Sequence, residues 1–363
     1  MCGSNIYFMT HFYIFTHNFT NSRRWVGISP FIKSHIRRRL RYKYLYIVPY
    51  FFCSVKNYYW TNASFFSLYR FFFFLFLNIV WHISIHMEIF WIPLSHLRYK
   101  DFFEMITVEK QHPFVVFTPN PEILLITKKD SEYADMLRKA DFLLPDGVGL
   151  YLAYQILDSK KSLLWDICSL PMYIYRLLRQ KKALYERYGE RICGSDLTKD
   201  VLQFAAKNKK EITVVDLYNP KDAAKIASQQ VFVEKVQAAF PWLVIRYYIW
   251  KEEQKEDIIA QIKKTWEQFL FSTLGMKRQE ENIAEIMSQC PNVVFGIGVG
   301  GSFDYFTGLQ KRAPESIRRL WFEWLYRLIY WPQKIKRIQR LWNAIVVFTY
   351  EVLKEKARKK STV

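Results

Sequence analysis

From residue 87 onward, apolar positions gather in short runs, and longer stretches with helical spacing separate them. Phe114–Phe117, Phe142–Leu144, Glu211–Asn219, Trp242–Ile249, Phe269–Gly275 and Asn292–Gly301 are rich in β-branched and aromatic residues and too short for helices. Such runs suit strands buried on both faces. Glu88–Ser95 (EIFWIPLS) reads as a further strand running into a turn, and KDFFEMITVEK, residues 100–110, as a short amphipathic helix. Asn120 is placed to cap a helix with Pro121 at its first position and Glu122 in its first turn, and Asp130-Ser131 opens the next one. Strand, helix, strand in this order predicts a βαβ unit. The fold class is therefore α/β, a parallel sheet flanked by helices.

The run Phe142–Leu144 ends in Pro145, Asp146, Gly147, Val148 and Gly149. A turn aspartate bonding its own backbone is one reading. The other is a carboxylate fixed at the C-terminal end of a strand, where open α/β sheets place their chemistry. Thr118 closes the preceding strand of the same βαβ unit, so parallel pairing brings Thr118 and Asp146 to one sheet edge. That favours the second reading.

The net charge of +20 is unevenly spread. Residues 1–86 hold ten Lys/Arg and no acid, residues 311–363 hold fourteen against four, and residues 87–310 hold 29 of each. This divides the chain into a basic, aromatic arm (1–86), a neutral α/β body (87–310) and a basic helical appendage (311–363). A nucleic-acid binder would carry its charge on the folded face that reads phosphate. Arms that mix cations with Trp, Tyr and Phe fit an anionic membrane surface instead. In the appendage, Trp321, Trp324, Trp331 and Trp342 interleave with Lys and Arg, and helices broken at Pro332 would present them to lipid headgroups. An ordinary helix packed on the body is the alternative.

Ser64–Trp81 approaches the length of a membrane span, but Arg70 and Asn78 interrupt it. An acid-free stretch of Phe, Tyr, Ile, Asn and Lys is also what AT-rich DNA encodes without selection. We read residues 1–86 as an over-extended gene start, with Met87 beginning the protein itself. Ser162–Glu186 is apolar and aromatic with a basic end, either a helix packed on the body or a membrane-facing element.

Five scattered cysteines, none in a C-x-x-C pair, argue against a disulfide framework or a zinc knuckle and fit a reducing compartment. Gly296-x-Gly298-x-x-Gly301 matches the dinucleotide fingerprint literally, but it lies inside and after a late strand and leads into SFDYFTG rather than a helix. No D-x-D, Walker loop or G-x-S-x-G elbow occurs, and the histidines form no metal-spaced pair. No metal and no cofactor are expected.

The segments TPNPE, LPDGVG, RICGSDL, LGMKRQE, GVGGSFDYFTGLQKRAP and FEWLYRL occur in this order. Together they resemble the WecG/TagA/CpsF family of bacterial glycosyltransferases, from about Glu88 to Arg340. The resemblance implies a Rossmann-like α/β fold and metal-independent, inverting transfer of N-acetylmannosamine or a similar sugar. The implied donor is a UDP-sugar, and the implied acceptor an undecaprenyl-diphosphate-linked sugar at the cytoplasmic face of the plasma membrane. Cell-wall or exopolysaccharide synthesis would be the setting, with homo-oligomers allowed. It implies that Asp146 is the general base and that Thr118 and Asn120 line the donor pocket. It also implies sugar contact by Gln279 beside Glu280, a place for Asp304 near the uridine, a substrate-binding place for Arg312 in its K-R-A-P segment, and diphosphate contacts by Arg327, Lys334 and Arg337.

This chain departs from the family pattern in places. The G-x-P-K-Q-E stretch lacks its proline at Met276-Lys277, Lys334 stands for an arginine, and Ser162–Glu186 looks inserted. The rival reading is a non-catalytic membrane-surface binding protein derived from the same fold.

Overall fold

The computed structural model describes residues 87–107, 113–217, 229–266, 268–330 and 334–361. The expectations for residues 1–86, for Trp331 and for a break at Pro332 fall outside the described residues.

Glu88–Ser95 is a hairpin rather than one strand. Strands β1 (Met87–Ile89) and β2 (Ile92–Leu94) pair antiparallel as a separate two-stranded sheet. Phe90 and Trp91 form the turn between them, both at positive φ (53° and 64°), the twist that a two-residue hairpin demands. Ile89, Ile92 and Leu94 are fully buried, which offsets the strain of two bulky residues in that conformation.

The main sheet has six parallel strands. They are β3 (Phe114–Phe117), β4 (Phe142–Leu143), β5 (Glu211–Leu217), β6 (Val244–Trp250), β7 (Gln268–Ser272) and β8 (Val293–Gly298), in the spatial order β4-β3-β8-β7-β5-β6. Alternate residues serve opposite layers. Phe269 and Phe271 pack into one hydrophobic cluster, whereas Leu270 between them packs into the other. Burial on both faces is why these strands read as continuous apolar runs.

Helices α1 (Tyr99–Thr107), α2 (Pro121–Thr127), α3 (Ser131–Arg138) and α4 (Val148–Asp158) accompany the first half. Asn120 caps α2 and Asp130 caps α3, each through a side-chain oxygen that accepts a backbone N–H. Ser162–Glu186 resolves into three short helices, α5 (Leu163–Cys168), α6 (Leu170–Arg179) and α7 (Lys181–Tyr188). Then follow α8 (Gly194–Lys207), α9 (Gln229–Ala239), α10 (Lys255–Lys263) and α11 (Arg278–Gln289).

The C-terminal appendage consists of α12 (Glu315–Arg319), α13 (Glu323–Tyr330), α14 (Lys334–Trp342), a π-helical turn (Asn343–Val347) and α15 (Phe348–Ser361). Its parts behave differently. In α15, Phe348, Val352 and Lys356 make a buried stripe at four-residue spacing that packs against α4 and the hairpin. Lys356 ion-pairs the fully buried Asp166 of α5 and donates to the Ile156 carbonyl. Removing one partner of such a buried pair typically costs about 3–5 kcal/mol. So α15 is the packed helix of the alternative reading. In α14, by contrast, Ile335, Ile338 and Trp342 are exposed. The tryptophans do not form one outward stripe: Trp321 is buried, its ring tilted against those of Tyr151 and Tyr185, while Trp342 faces solvent. No helix among the described residues is long and apolar enough to cross a membrane.

Candidate active site

The C-terminal ends of β3, β4 and β8 lie side by side because all three strands run parallel. Leu144 donates its N–H to the Phe117 carbonyl, and Asp146 donates its N–H to the Pro119 carbonyl at 3.0 Å. The T-P-N loop and the D-G-V-G loop are thus laced together, and Asp146 is held by backbone beyond the last strand residue.

The glycines beside it have separate reasons. Gly147 sits at φ +105°, a conformation that side chains rarely adopt. A Cβ on Gly149 would come within 2.9 Å of Pro121 Cγ and 3.2 Å of the Ala344 carbonyl oxygen. The second glycine therefore lets α4, α2 and the appendage meet at the site. In the later glycine run, a Cβ on Gly296 would strike Met287, and one on Gly298 would strike Gln279. Those glycines admit α11 against β8. The chain then enters a 3₁₀ turn at Gly300, not the helix a dinucleotide fingerprint needs.

Asp146 keeps part of its surface open, yet protein surrounds it closely. Lost hydration raises its carboxyl above the ordinary value of 3.8. Arg191 and Arg327 pull it down, while Glu323 and Asp196 push it up. No hydrogen bond to its carboxylate comes from a described residue. The same surroundings push the buried Cys193 thiol up to about 11, which keeps it neutral and unreactive.

Around this carboxylate the appendage supplies cations. Arg312 and Arg318 both donate to Asp196 Oδ1, at 2.7 and 2.9 Å. Arg327 pairs Glu323, and both Arg312 and Arg327 lie over the ring of Tyr305. Arg337 has its pKa lowered by burial and then by Arg327 and Arg340, so these guanidiniums are close enough to repel. A site whose cations crowd one another is suited to a multiply charged anion.

Of the residues singled out from the sequence, Asp146, Arg312, Arg327 and Arg337 meet in this electrostatic cluster. Thr118 adjoins it, with Oγ1 3.6 Å from where a Cβ on Gly194 would lie. Gln279 is buried at the end of β8, its Oε1 accepting from the Gly300 N–H at 3.1 Å and its Nε2 donating to Glu280. Asn120 has its oxygen occupied as the cap of α2. Glu280 also has structural partners: it accepts from Tyr133 Oη, the Lys277 N–H and Gln279. Asp304 accepts from Gln310 Nε2 at 3.0 Å. The side chain of Lys334 lies outside the described residues.

Sequence reasoning missed Arg191, Asp196 and Glu323. Arg191 acts on Asp146, Cys193 and Tyr185 and lies over the Trp321 ring at 5.7 Å. The signal was present: RICGSDL and FEWLYRL were both noticed as motifs, but a motif does not say which of its residues turns inward.

A family model for the glycosyl transferase WecG/TagA/CpsF family matches residues 87–182 and 172–362, two pieces that meet within α6 and α7. The chain is also similar to the N-acetylglucosaminyldiphosphoundecaprenol N-acetyl-beta-D-mannosaminyltransferase of Bacillus subtilis (strain 168). That match is 32% identical over 263 residues and covers 72% of this chain and 87% of the relative. The proteins of the same name from Bacillus spizizenii (strain ATCC 23059 / NRRL B-14472 / W23) and Staphylococcus aureus (strain NCTC 8325 / PS 47) are 29% and 27% identical. They cover 61% and 67% of this chain, and 74% and 81% of the relatives. With its parallel sheet and the open carboxylate at the sheet's C-terminal edge, the chain belongs to the WecG/TagA/CpsF family of glycosyl transferases.

Proposed function

We propose that this enzyme transfers N-acetylmannosamine, or a close hexosamine, from a UDP donor to N-acetylglucosamine carried on undecaprenyl diphosphate. The acceptor and the sugar are those named in the relatives. The observation that carries the reading is Asp146: an open carboxylate with no hydrogen-bond donor among the described residues, raised in pKa, beside cations from α13 and the Arg191 loop.

In the proposed step the acceptor hydroxyl oxygen attacks the anomeric carbon as Asp146 takes its proton. The bond from that carbon to the diphosphate oxygen breaks, and UDP leaves with the electron pair. A β product from an α-linked nucleotide donor requires one inversion, hence a single displacement with one base. Arg312, Arg327 and Arg337 offset the charge growing on the leaving diphosphate, and Lys334 would add a point charge. Thr118 and Asn120 would line the donor pocket, Gln279, held in place by its hydrogen bond to Glu280, would orient the sugar, and Asp304 would face the uridine. No step in this scheme uses a metal. The enzyme would work as a peripheral protein at the cytoplasmic face of the membrane, its exposed α14 side chains against lipid.

The test is direct. Enzyme, UDP-N-acetylmannosamine and a short-chain lipid-diphosphate N-acetylglucosamine are incubated with and without EDTA, and products are read by mass. The expected result is one added N-acetylhexosamine in both samples. Loss with EDTA alone removes the metal-free scheme. No transfer from any UDP-sugar, together with no thermal shift by them, returns the non-catalytic rival.

A further inference from the structure

The two family matches overlap at residues 172–182, within α6 and the start of α7, with α5 just before them, and the site described above uses none of the outward side chains of these three helices. Their inward stripe is ordinary: Asp166, Ser169, Tyr173 and Leu177, at helical spacing, are buried against the body. Their outward face is not. Leu164 is 76% exposed, Tyr175 57%, and Trp165, Ile167, Ile174 and Leu178 are exposed with them. A short helix that is apolar on the buried side and again on the open side has one face without a partner among the described residues.

We infer that this face is a membrane-docking surface that seats the enzyme on an anionic bilayer, separately from α14. The inference rests on the proposed lipid-linked acceptor and adds where the chain meets the lipid. Charge complementarity selects the occupant. Lys160, Lys161, Arg179 and Lys182 are exposed around the apolar residues. The single acid between 159 and 182, Asp166, is buried and paired with Lys356. Lys161 Nζ lies 3.9 Å from the centre of the Trp165 ring, the cation-beside-indole arrangement of an interfacial anchor. A second copy of the chain is a poor occupant, because a two-fold contact across this face would set like cations against each other. Since no described helix can cross a bilayer, the contact lies in the plane of the headgroups.

The surface is continuous with the appendage and the site. Lys181 donates to the Arg319 carbonyl, and Trp321 Nε1 donates to Tyr185 Oη at 3.2 Å. At the other end, Asp166 accepts from both Lys356 of α15 and Tyr173. Tyr185 faces Arg191, which in turn faces Asp146. A bilayer held by α5 and α6 would therefore hold the catalytic edge at a fixed height above it.

The experiment compares full-length wild type with Ile174→Glu/Leu178→Glu and, separately, Lys160→Glu/Lys161→Glu/Arg179→Glu/Lys182→Glu. All six positions are exposed, and circular dichroism and melting confirm folding. Sedimentation is measured with phosphatidylglycerol-containing vesicles and with phosphatidylcholine alone. Transfer is measured to a short-chain soluble acceptor and to an undecaprenyl acceptor embedded in vesicles. Wild type should sediment with the anionic vesicles, and both variants should partition on the order of tenfold less. Their transfer to the embedded acceptor should fall in parallel while transfer to the soluble acceptor is unchanged. Equal vesicle binding by all three proteins overturns the inference, as does wild type that binds neither vesicle. A wild-type dimer that the apolar variant splits, with vesicle binding intact, overturns it in favour of self-association. Failure of the donor reading shows separately, as absence of transfer to the soluble acceptor by wild type.

Discussion

Two carboxylates just beyond strand ends of the same sheet edge, Asp146 in a loop and Glu280 in the first turn of α11, are both raised in pKa by burial, yet their partners differ. Glu280 is 1% exposed and saturated: Tyr133, Gln279 and the Lys277 N–H all donate to it, the last as part of a capping box on α11. Among the described residues Asp146 is held only through its own backbone, keeps an open surface, and meets neighbours that act on it by charge. Donors already in place make a carboxylate a structural post. Open lone pairs with a raised proton affinity make one a base. An acidic side chain just after a strand end does not separate the two, but their partners do.

The largest effect that tests this contrast is Asp146→Asn. It keeps the shape and the backbone bond to Pro119, so the variant should fold, bind UDP and lose transfer by about a hundredfold or more. Turnover near wild type would end the assignment of the base. Glu280→Gln should do the reverse. An amide cannot accept from both Tyr133 and the Lys277 N–H while also accepting from Gln279, so one buried donor is stranded at a cost of about 1–3 kcal/mol. Thermal unfolding should show that loss, and kcat at a permissive temperature should stay within a few-fold of wild type. If Glu280→Gln melts like wild type but no longer transfers, the contrast is wrong and Glu280 touches substrate.

A smaller effect concerns the neighbours. Arg191 lowers the Asp146 pKa, so Arg191→Met removes a favourable charge from the ionised base. The acid limb of the kcat/KM profile should move to higher pH. A profile that falls in height without moving would mean that Arg191 serves the diphosphate and not the base.

How far this was legible in the sequence depended on the kind of signal. The six core strands were readable because burial on both faces writes itself as short apolar runs, and the caps Asn120 and Asp130 because capping uses few residue types. Asp146 was readable from its place after a strand. The hairpin was not: Phe90 and Trp91 turn at positive φ without glycine or asparagine, so the usual mark was missing. Trp321 was misjudged because a tryptophan amid cations looks the same whether it faces lipid or, as here, Tyr151. Arg191 and Glu323 come from motifs about 130 residues apart, and only the packing of α13 near the sheet edge brings them to one carboxylate. Tertiary partners of that kind leave no local trace.

The smallest effect is on stability, and its sign follows from the raised pKa. Because folding raises the carboxyl of Asp146 above 3.8, the folded form holds its proton more tightly than the unfolded chain does. The stability due to this group is fully present below its unfolded pKa and is lost as pH rises through the higher folded value. At neutral pH the ionised carboxylate therefore costs stability, about 1.4 kcal/mol for each unit by which its pKa is raised. Asp146→Asn carries no such cost, so it should melt above wild type at pH 7 and converge with it toward pH 4. Glu280→Gln should not show this convergence from above, because its loss of a buried acceptor places it below wild type at neutral pH. Melting curves of the three proteins between pH 4 and pH 8 make the comparison. An Asp146→Asn variant that is less stable than wild type at pH 7 would mean that the carboxylate is held by favourable contacts, as Glu280 is, and that the two residues are alike after all.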